Sequence, residues 1–437
     1  MRGTWMALWL GVPIVVLQAC SKPQSDAVPI TKATTPAASS PDATKMLPPL
    51  AGLNLTRIEL GEGGATAPLL GEKTAHLTVD PKLQNTAKAL MRMHHVPEAA
   101  VVLMDTATGN VLVYASHIEK GPARDLCAEA TAPAASVFKI VTSAALVENA
   151  GLSPDERTCY SGGEQRITER DLIDDPKKDK WCTTLGGAMG RSINTVFARF
   201  ARKYLKAPIL AETAHSFGFG APLAFDVPVE PSELHVPEDP LGFARMAAGF
   251  WNTTLSPLHA AWISATVARG GEPVRPRIVR EVADASGAIV WTAPEPAALE
   301  RAIKPKTAQS IATMMENTIT DGTSYKAFHD AAGRSFLADI PMAGKTGTLT
   351  DATAQRFYTW FSGFSHAPAS SNKESAPTPV AIGVLVVNGP TWTVKANVVA
   401  REVLRAYFAE HEVAGITMPH LRSSKPPIAK KKKRRSP

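Results

Sequence analysis

An α+β fold is predicted: an antiparallel sheet built from both ends of one domain, flanked by helices, with a helical subdomain between them. Two observations predict it. β-rich runs occur at residues 99–116 and again, far downstream, at 357–365 and 380–389. The stretch between them carries helical rather than alternating periodicity. The 437 residues supply enough apolar material for one large domain or two ordinary ones.

Taken in order, the chain opens with Arg2 and an apolar run over residues 5–19, broken by Pro13 and followed by Cys20. This run is shorter than the roughly 20 residues a membrane-spanning helix needs, and it suits the core of an export signal. "LQAC" at 17–20 resembles the lipobox of bacterial lipoproteins, although Gln18 is a less usual choice at its position. Residues 1–20 are therefore expected to be a lipoprotein-type export signal. Acylated Cys20 would anchor the mature protein to a membrane, with an uncleaved signal anchor as the alternative. Either way the globular part lies outside the cytoplasm.

Residues 21–75 are rich in Pro, Ala, Ser, Thr and Gly and read as a flexible tether. At the far end, residues 413–437 read as a basic disordered tail. "KKKKRR" at 430–435 contributes six of the seven net positive charges. The body is thus nearly neutral, which argues against nucleic-acid binding. The tail is either solvated or adheres to an anionic envelope surface. With Cys20 lipidated, Cys127, Cys159 and Cys182 remain. Cys159 and Cys182 flank a Gly-rich polar stretch that a disulfide would close, leaving Cys127 free.

Within the body, residues 99–116 read as a hairpin turning at Thr106–Asn110. In "SVFKIVTSAALVENAG", Val137, Ile140, Val141, Ala144 and Val147 recur at helical spacing, and Gly151 is placed to end the helix. "TVFARFARKYL" is a second amphipathic segment, with Phe197, Phe200 and Tyr204 on one face, and residues 395–408 are read as a helix after the last strand. Residues 366–378 read as an exposed loop between two strands. The histidines show no metal-ligand spacing, so neither metal nor cofactor is expected. Trp251, Trp262 and Trp360 are assigned to the core.

"AGKTGT" at 343–348 invites comparison with a phosphate-binding loop. Such a loop needs a glycine five residues before its Gly-Lys-Thr, and Asp339 stands there instead. The residues after Lys345 also favour extended chain over helix.

Read as a strand, Lys345-Thr346-Gly347 has two upstream companions: Ser136-x-x-Lys139 at the start of the first helix, and Ser192-x-Asn194 beside the second. Each motif alone is weak, and "SSNK" at 370–373 satisfies two of them in a polar loop. All three in order, each in a fitting setting, form a constellation. On a helix, i and i+3 share a face, so Lys139 can reach the Ser136 hydroxyl. Serine needs a base to become a nucleophile, and lysine is a base only when neutral, which burial and the charge of Lys345 would favour. Ser192 offers a hydroxyl to relay a proton to the leaving amine, and Asn194 an amide for the substrate backbone. Lys345 presents charge to a carboxylate, Thr346 and Thr348 hydrogen-bond it, and Gly347 permits close approach. Backbone N–H groups of Ser136 and Thr348 would stabilise an oxyanion.

S-x-x-K, S-x-N and K-T-G in this order are the signature of penicillin-binding proteins and class A β-lactamases. Residues 76–412 resemble a penicillin-binding transpeptidase domain, with further likeness in "HLTVDPKLQNTAKAL", "HSFGFG", "LSPLHAAWISATVARGG" and "MMENTITDGTSYKAF". Many family members place Pro-Gly before the nucleophile, where this chain has Ala134-Ala135. The resemblance implies a serine D,D-transpeptidase acting on D-Ala-D-Ala peptidoglycan stem peptides through an acyl-enzyme and acylated by β-lactams. It also suggests a glycosyltransferase partner, because nothing before His76 is long enough for that domain. A D,D-carboxypeptidase or endopeptidase, or a non-catalytic β-lactam or muropeptide sensor, are the alternatives. Thr323, in "DGTS", is expected to be a turn residue.

Overall fold

The computed structural model describes residues 49–421 apart from 164–165, 296–297, 339 and 368–376. Cys20, Asp339, the "SSNK" stretch and the basic run at 430–435 lie outside the described residues.

Three strands come first: β1 (Glu59–Gly61), β2 (Gly64–Leu69) and β3 (Lys73–Leu77). Helix α1 (Pro81–Met93) follows, capped by the Asp80 carboxylate, and leads into the hairpin β4 (Glu98–Asp105) and β5 (Val111–Ile118). The short strand β6 (Ala132–Pro133) precedes a 3₁₀ turn, Ala135–Phe138, and α2 (Lys139–Ala150). A hairpin of β7 (Arg157–Tyr160) and β8 (Trp181–Thr184) leads to α3 (Leu185–Arg191), α4 (Asn194–Tyr204), α5 (Ala207–Ser216) and α6 (Pro240–Ala247). Then come β9 (Thr254–Leu255), α7 (Pro257–Ala268), β10 (Val279–Ala283) and β11 (Ile289–Thr292). The chain finishes with α8 (Pro305–Thr320), α9 (Tyr325–Phe328), β12 (Met342–Asp351), β13 (Arg356–Ser365), β14 (Val380–Asn388) and α10 (Ala396–Glu410).

The central sheet has the order β12-β13-β14-β4-β5, every pair antiparallel, so it is built from both ends of the domain. Its middle strands are apolar on both faces because helices cover both. Helix α7 crosses β13, β14 and β4 so closely that a Cβ on Gly383 would stand 2.1 Å from the Pro257 carbonyl. Helices α1 and α10 cover the opposite face, where Val101, Leu103, Ile382, Val384, Val403 and Phe408 are fully buried. Beside α7 lies the helical layer of α2, α4, α5, α6 and α8, organised around Phe138, Phe197 and Met314. Gly151 ends α2 in the left-handed region at φ 66°.

Two expectations are corrected here. The segment read as a flexible tether, 21–75, contributes structure from residue 49 onward: β1, β2 and β3 join β10 and β11 in a second antiparallel sheet of order β1-β2-β3-β10-β11. Ala65, Ala67, Leu69 and Ala75 point inward to meet Val279, Val282 and Tyr114, so small residues pack where a loop was expected. The boundary at 413 is also early, because Ile416 is buried and Val413 packs against the α10 side of the core. Cys159 and Cys182 sit opposite each other on β7 and β8 and form a disulfide of 2.01 Å, while Cys127 is free and buried.

Candidate active site

The nucleophile candidate sits at the start of a helix, and the turn that delivers it is strained. Ala135 has φ 49°, a left-handed conformation that disfavours any residue with a side chain. This turn aims Ser136 into a cleft of about 740 Å³ and sets Lys139, one turn later, beneath it. Gly249 lies directly behind, where a Cβ would stand 2.5 Å from the Ala135 carbonyl and 2.8 Å from the Ser136 Cα. The turn after α6 can buttress the nucleophile only because residue 249 lacks a side chain.

Lys139 is fully buried, and its Nζ has three neighbours: Ser136 Oγ at 2.8 Å, Asn194 Oδ1 at 2.7 Å and the Ala248 carbonyl at 2.5 Å. A neutral amine satisfies this set. Two N–H groups go to the amide and carbonyl oxygens, and the lone pair faces the Ser136 hydroxyl, which can donate. Burial, and after it the charge on Lys345, pushes the Lys139 pKa well below the ordinary lysine value.

Ser192 and Asn194 come from the α3–α4 corner. Ser192 caps α3 at φ 59°, and Asn194 opens α4 two residues later. The sharp turn brings both side chains to the cleft wall. Beneath them, Arg199 is buried, bonds Asp179 at 2.7 Å, and donates to the carbonyls of Asp171, Ile173 and Cys159. The disulfide-closed segment is thereby fastened to α4.

The opposite wall is β12, an edge strand of the central sheet. Lys345 is fully buried and donates to Ser192 Oγ at 2.9 Å and to the Thr346 carbonyl at 2.8 Å. Burial lowers its pKa to about 7. Thr346, Gly347 and Thr348 line the cleft, and Gly347 lies beneath the Ala135 methyl, so the strand runs close under the nucleophile's turn. Being an edge, β12 keeps one side of its backbone unpaired and ready for an added strand.

The seven residues of the three motifs, and Thr348 after the last of them, therefore meet in or beneath one cleft. Sequence reasoning missed others. Thr323, read as a turn residue, is within 2.6 Å of Thr346, hydroxyl to hydroxyl, and borders the cleft. The Ala248 carbonyl holds Lys139 and Gly249 backs the serine's turn, both through backbone, which leaves no side-chain signature. Trp251, assigned to the core, is 39% exposed and lines the cleft, because its loop turns outward after Gly249. Trp360 and Trp262 are buried, and the Trp360 indole donates to the Pro133 carbonyl at 2.8 Å, tying β13 to the segment before Ser136.

The sequence matches the penicillin-binding protein transpeptidase domain over residues 99–400. Among curated relatives, the peptidoglycan D,D-transpeptidase PbpA of Mycobacterium tuberculosis is 26% identical over 359 residues, covering 71% of this chain and 67% of its own. Among solved structures, the D,D-transpeptidase domain of a peptidoglycan glycosyltransferase from Eggerthella lenta superposes with TM-score 0.61 at 22% identity, covering 77% and 83% of the two chains. An imipenem acyl-enzyme complex of penicillin-binding protein A from M. tuberculosis gives 0.60 at 22%, covering 76% and 79%. At such identities the superpositions speak to the fold alone. The family match spans more than half the chain and contains the whole S-x-x-K, S-x-N and K-T-G constellation, so this protein belongs to the penicillin-binding protein transpeptidase family.

Proposed function

We propose that this protein is a serine D,D-transpeptidase that cross-links peptidoglycan, working outside the cytoplasm on stem peptides ending in D-Ala-D-Ala. The observation that carries the reading is the fully buried Lys139, whose Nζ lies 2.8 Å from Ser136 Oγ. Ser136 Oγ attacks the carbonyl carbon of the terminal peptide bond while its proton passes to Lys139 Nζ. The C–N bond breaks, and the proton held by Lys139 is relayed through the Ser192 hydroxyl to the departing D-Ala amine. Lys139 and Ser192 regain their starting protonation, and an ester to Ser136 remains. An amine of a second stem then attacks the ester carbonyl, the C–O bond breaks, and a proton returns to Ser136 Oγ.

Lys345, Thr346 and Thr348 hold the terminal carboxylate, Asn194 the substrate backbone, and the N–H groups of Ser136 and Thr348 the oxyanion. One such donor contributes roughly a hundred- to a thousandfold in rate. β-Lactams acylate Ser136 in this reading, in keeping with the imipenem acyl-enzyme formed by penicillin-binding protein A of M. tuberculosis. The described residues lining the cleft include no carboxylate to activate a deacylating water, which favours transfer over β-lactam hydrolysis. The export signal with lipidated Cys20, and a separate glycosyltransferase as partner, complete the proposal.

Labelled penicillin tests the reading directly: wild type forms a covalent adduct and Ser136→Ala does not. Equal labelling of both, or of neither, overturns the nucleophile assignment. A D-Ala-D-Ala pentapeptide, supplied with and without an amine acceptor, separates transfer from hydrolysis. Release of D-Ala with no transfer product would make this a carboxypeptidase. A Cys20→Ala protein that leaves the membrane fraction supports the lipid anchor, and retention favours an uncleaved signal anchor.

A further inference from the structure

The cleft does not end at Thr346. Thr323, Lys395 and Asn397 border both the catalytic cleft and an adjoining cavity of about 680 Å³, walled by the α8–α9 turn and the first turn of α10. The one acidic residue among its described lining residues, Asp321, is already paired with Arg191 at 2.6 Å. Lys326 and Lys395 line it too, and neither is ion-paired to a described residue; Lys395 lies over the Trp392 ring at 5.5 Å. The wall is therefore net positive, and the N-terminus of α10, whose Ala396 N–H already donates to the Thr359 hydroxyl, adds to it.

Asn397, 6% exposed, donates Nδ2 to Ser324 Oγ at 3.2 Å, while its buried Oδ1 has no partner. The Asn397–Ser324 bond ties the first turn of α10 to the α8–α9 turn, so the two walls of the cavity are held in fixed relation.

The position of this cavity fits one step of the proposed reaction, on which the inference rests. The donor peptide ends at the carboxylate held by Lys345 and Thr346, so no part of the donor extends further. Once D-Ala leaves, the attacking amine takes its place, and the rest of the molecule bearing that amine must lie beyond Thr346. We propose that the adjoining cavity is the acceptor subsite. It takes an amine-bearing peptide with an additional carboxylate, which Lys326 and Lys395 hold. In the step it serves, the acceptor amine forms a C–N bond to the acyl carbon, the Ser136 ester C–O bond breaks, and the amine's proton returns to Ser136 Oγ.

The test uses the full chain, a D-Ala-D-Ala pentapeptide donor and two peptide amines that differ only in carrying a distal carboxylate or its carboxamide. Wild type is expected to prefer the carboxylate acceptor. Lys326→Met and Lys395→Met should each cut that preference by roughly three- to tenfold, through the acceptor KM rather than kcat. Lys395→Arg should retain it. Absence of a preference in wild type, or equal loss with both acceptors in the variants, overturns the subsite. A penicillin adduct and D-Ala release without transfer to either amine overturns it as well. Absence of any adduct in wild type sinks the underlying reading, and this inference with it.

Discussion

Lys345 sits close enough to Lys139 for its charge to add to burial in lowering the pKa of Lys139, and both side chains are fully enclosed. In the proposed reaction the two lysines are divided in role by proton count: Lys139 is neutral to take the serine proton, and Lys345 is charged to hold a carboxylate.

This division predicts a bell-shaped pH profile for acylation. Activity rises as Lys139 loses its proton and falls as Lys345, near 7 in the free protein, loses its own. Removing the neighbouring charge in Lys345→Met raises the Lys139 pKa, so the rising limb should move to higher pH. Acylation rates of that variant with penicillin, followed across pH, check the direction. An unmoved or lowered limb would break the link between the two lysines.

Ala135→Gly should stabilise the protein. An L-residue at φ 49° carries a penalty of about 1 kcal/mol that glycine avoids, less its greater unfolded-state freedom. Chemical denaturation reads the net gain, and an unchanged or lower midpoint would show that the Ala135 methyl packs well enough to outweigh the strain.

The converse change, Gly347→Ala, should be harmful. Its Cβ would stand 3.1 Å from Trp360 Cβ and 3.2 Å from the Ala135 methyl. Relieving such crowding costs about 1–3 kcal/mol, and acylation should slow because the strand shifts away from the serine. Combined with Ala135→Gly, part of the loss should return, since one of the two opposing methyls is gone. Simple additivity in a double-mutant cycle would argue against contact.

Leu55→Ala addresses the N-terminal segment. Leu55 is 6% exposed within the core of the second sheet, and its truncation should cost about 2–4 kcal/mol. A flexible tether would show no change in the denaturation midpoint.

Much of this molecule was legible before any coordinates. Strands β4, β5, β13 and β14 are long and apolar, and α2 and α10 carry clear helical spacing, so they declare themselves locally. The three motifs were legible because their chemistry requires side chains of specific kinds. What stayed hidden depends on distant partners. "GATAPL" forms β2 with mostly small residues, and its neighbour β3 pairs with β10, some two hundred positions on. Thr323 gains its meaning only from Thr346, and Ala248 acts through a carbonyl that every residue possesses.

In the proposed reaction the burial of Lys345 also decides which peptides this cleft refuses. An enclosed cation on an edge strand rewards a substrate that stops there with a free carboxylate. A polypeptide passing through would place a neutral amide at that point and leave the charge unanswered. Selection then falls on chain termini rather than on sequence, and an interior peptide bond is refused by the absence of an end.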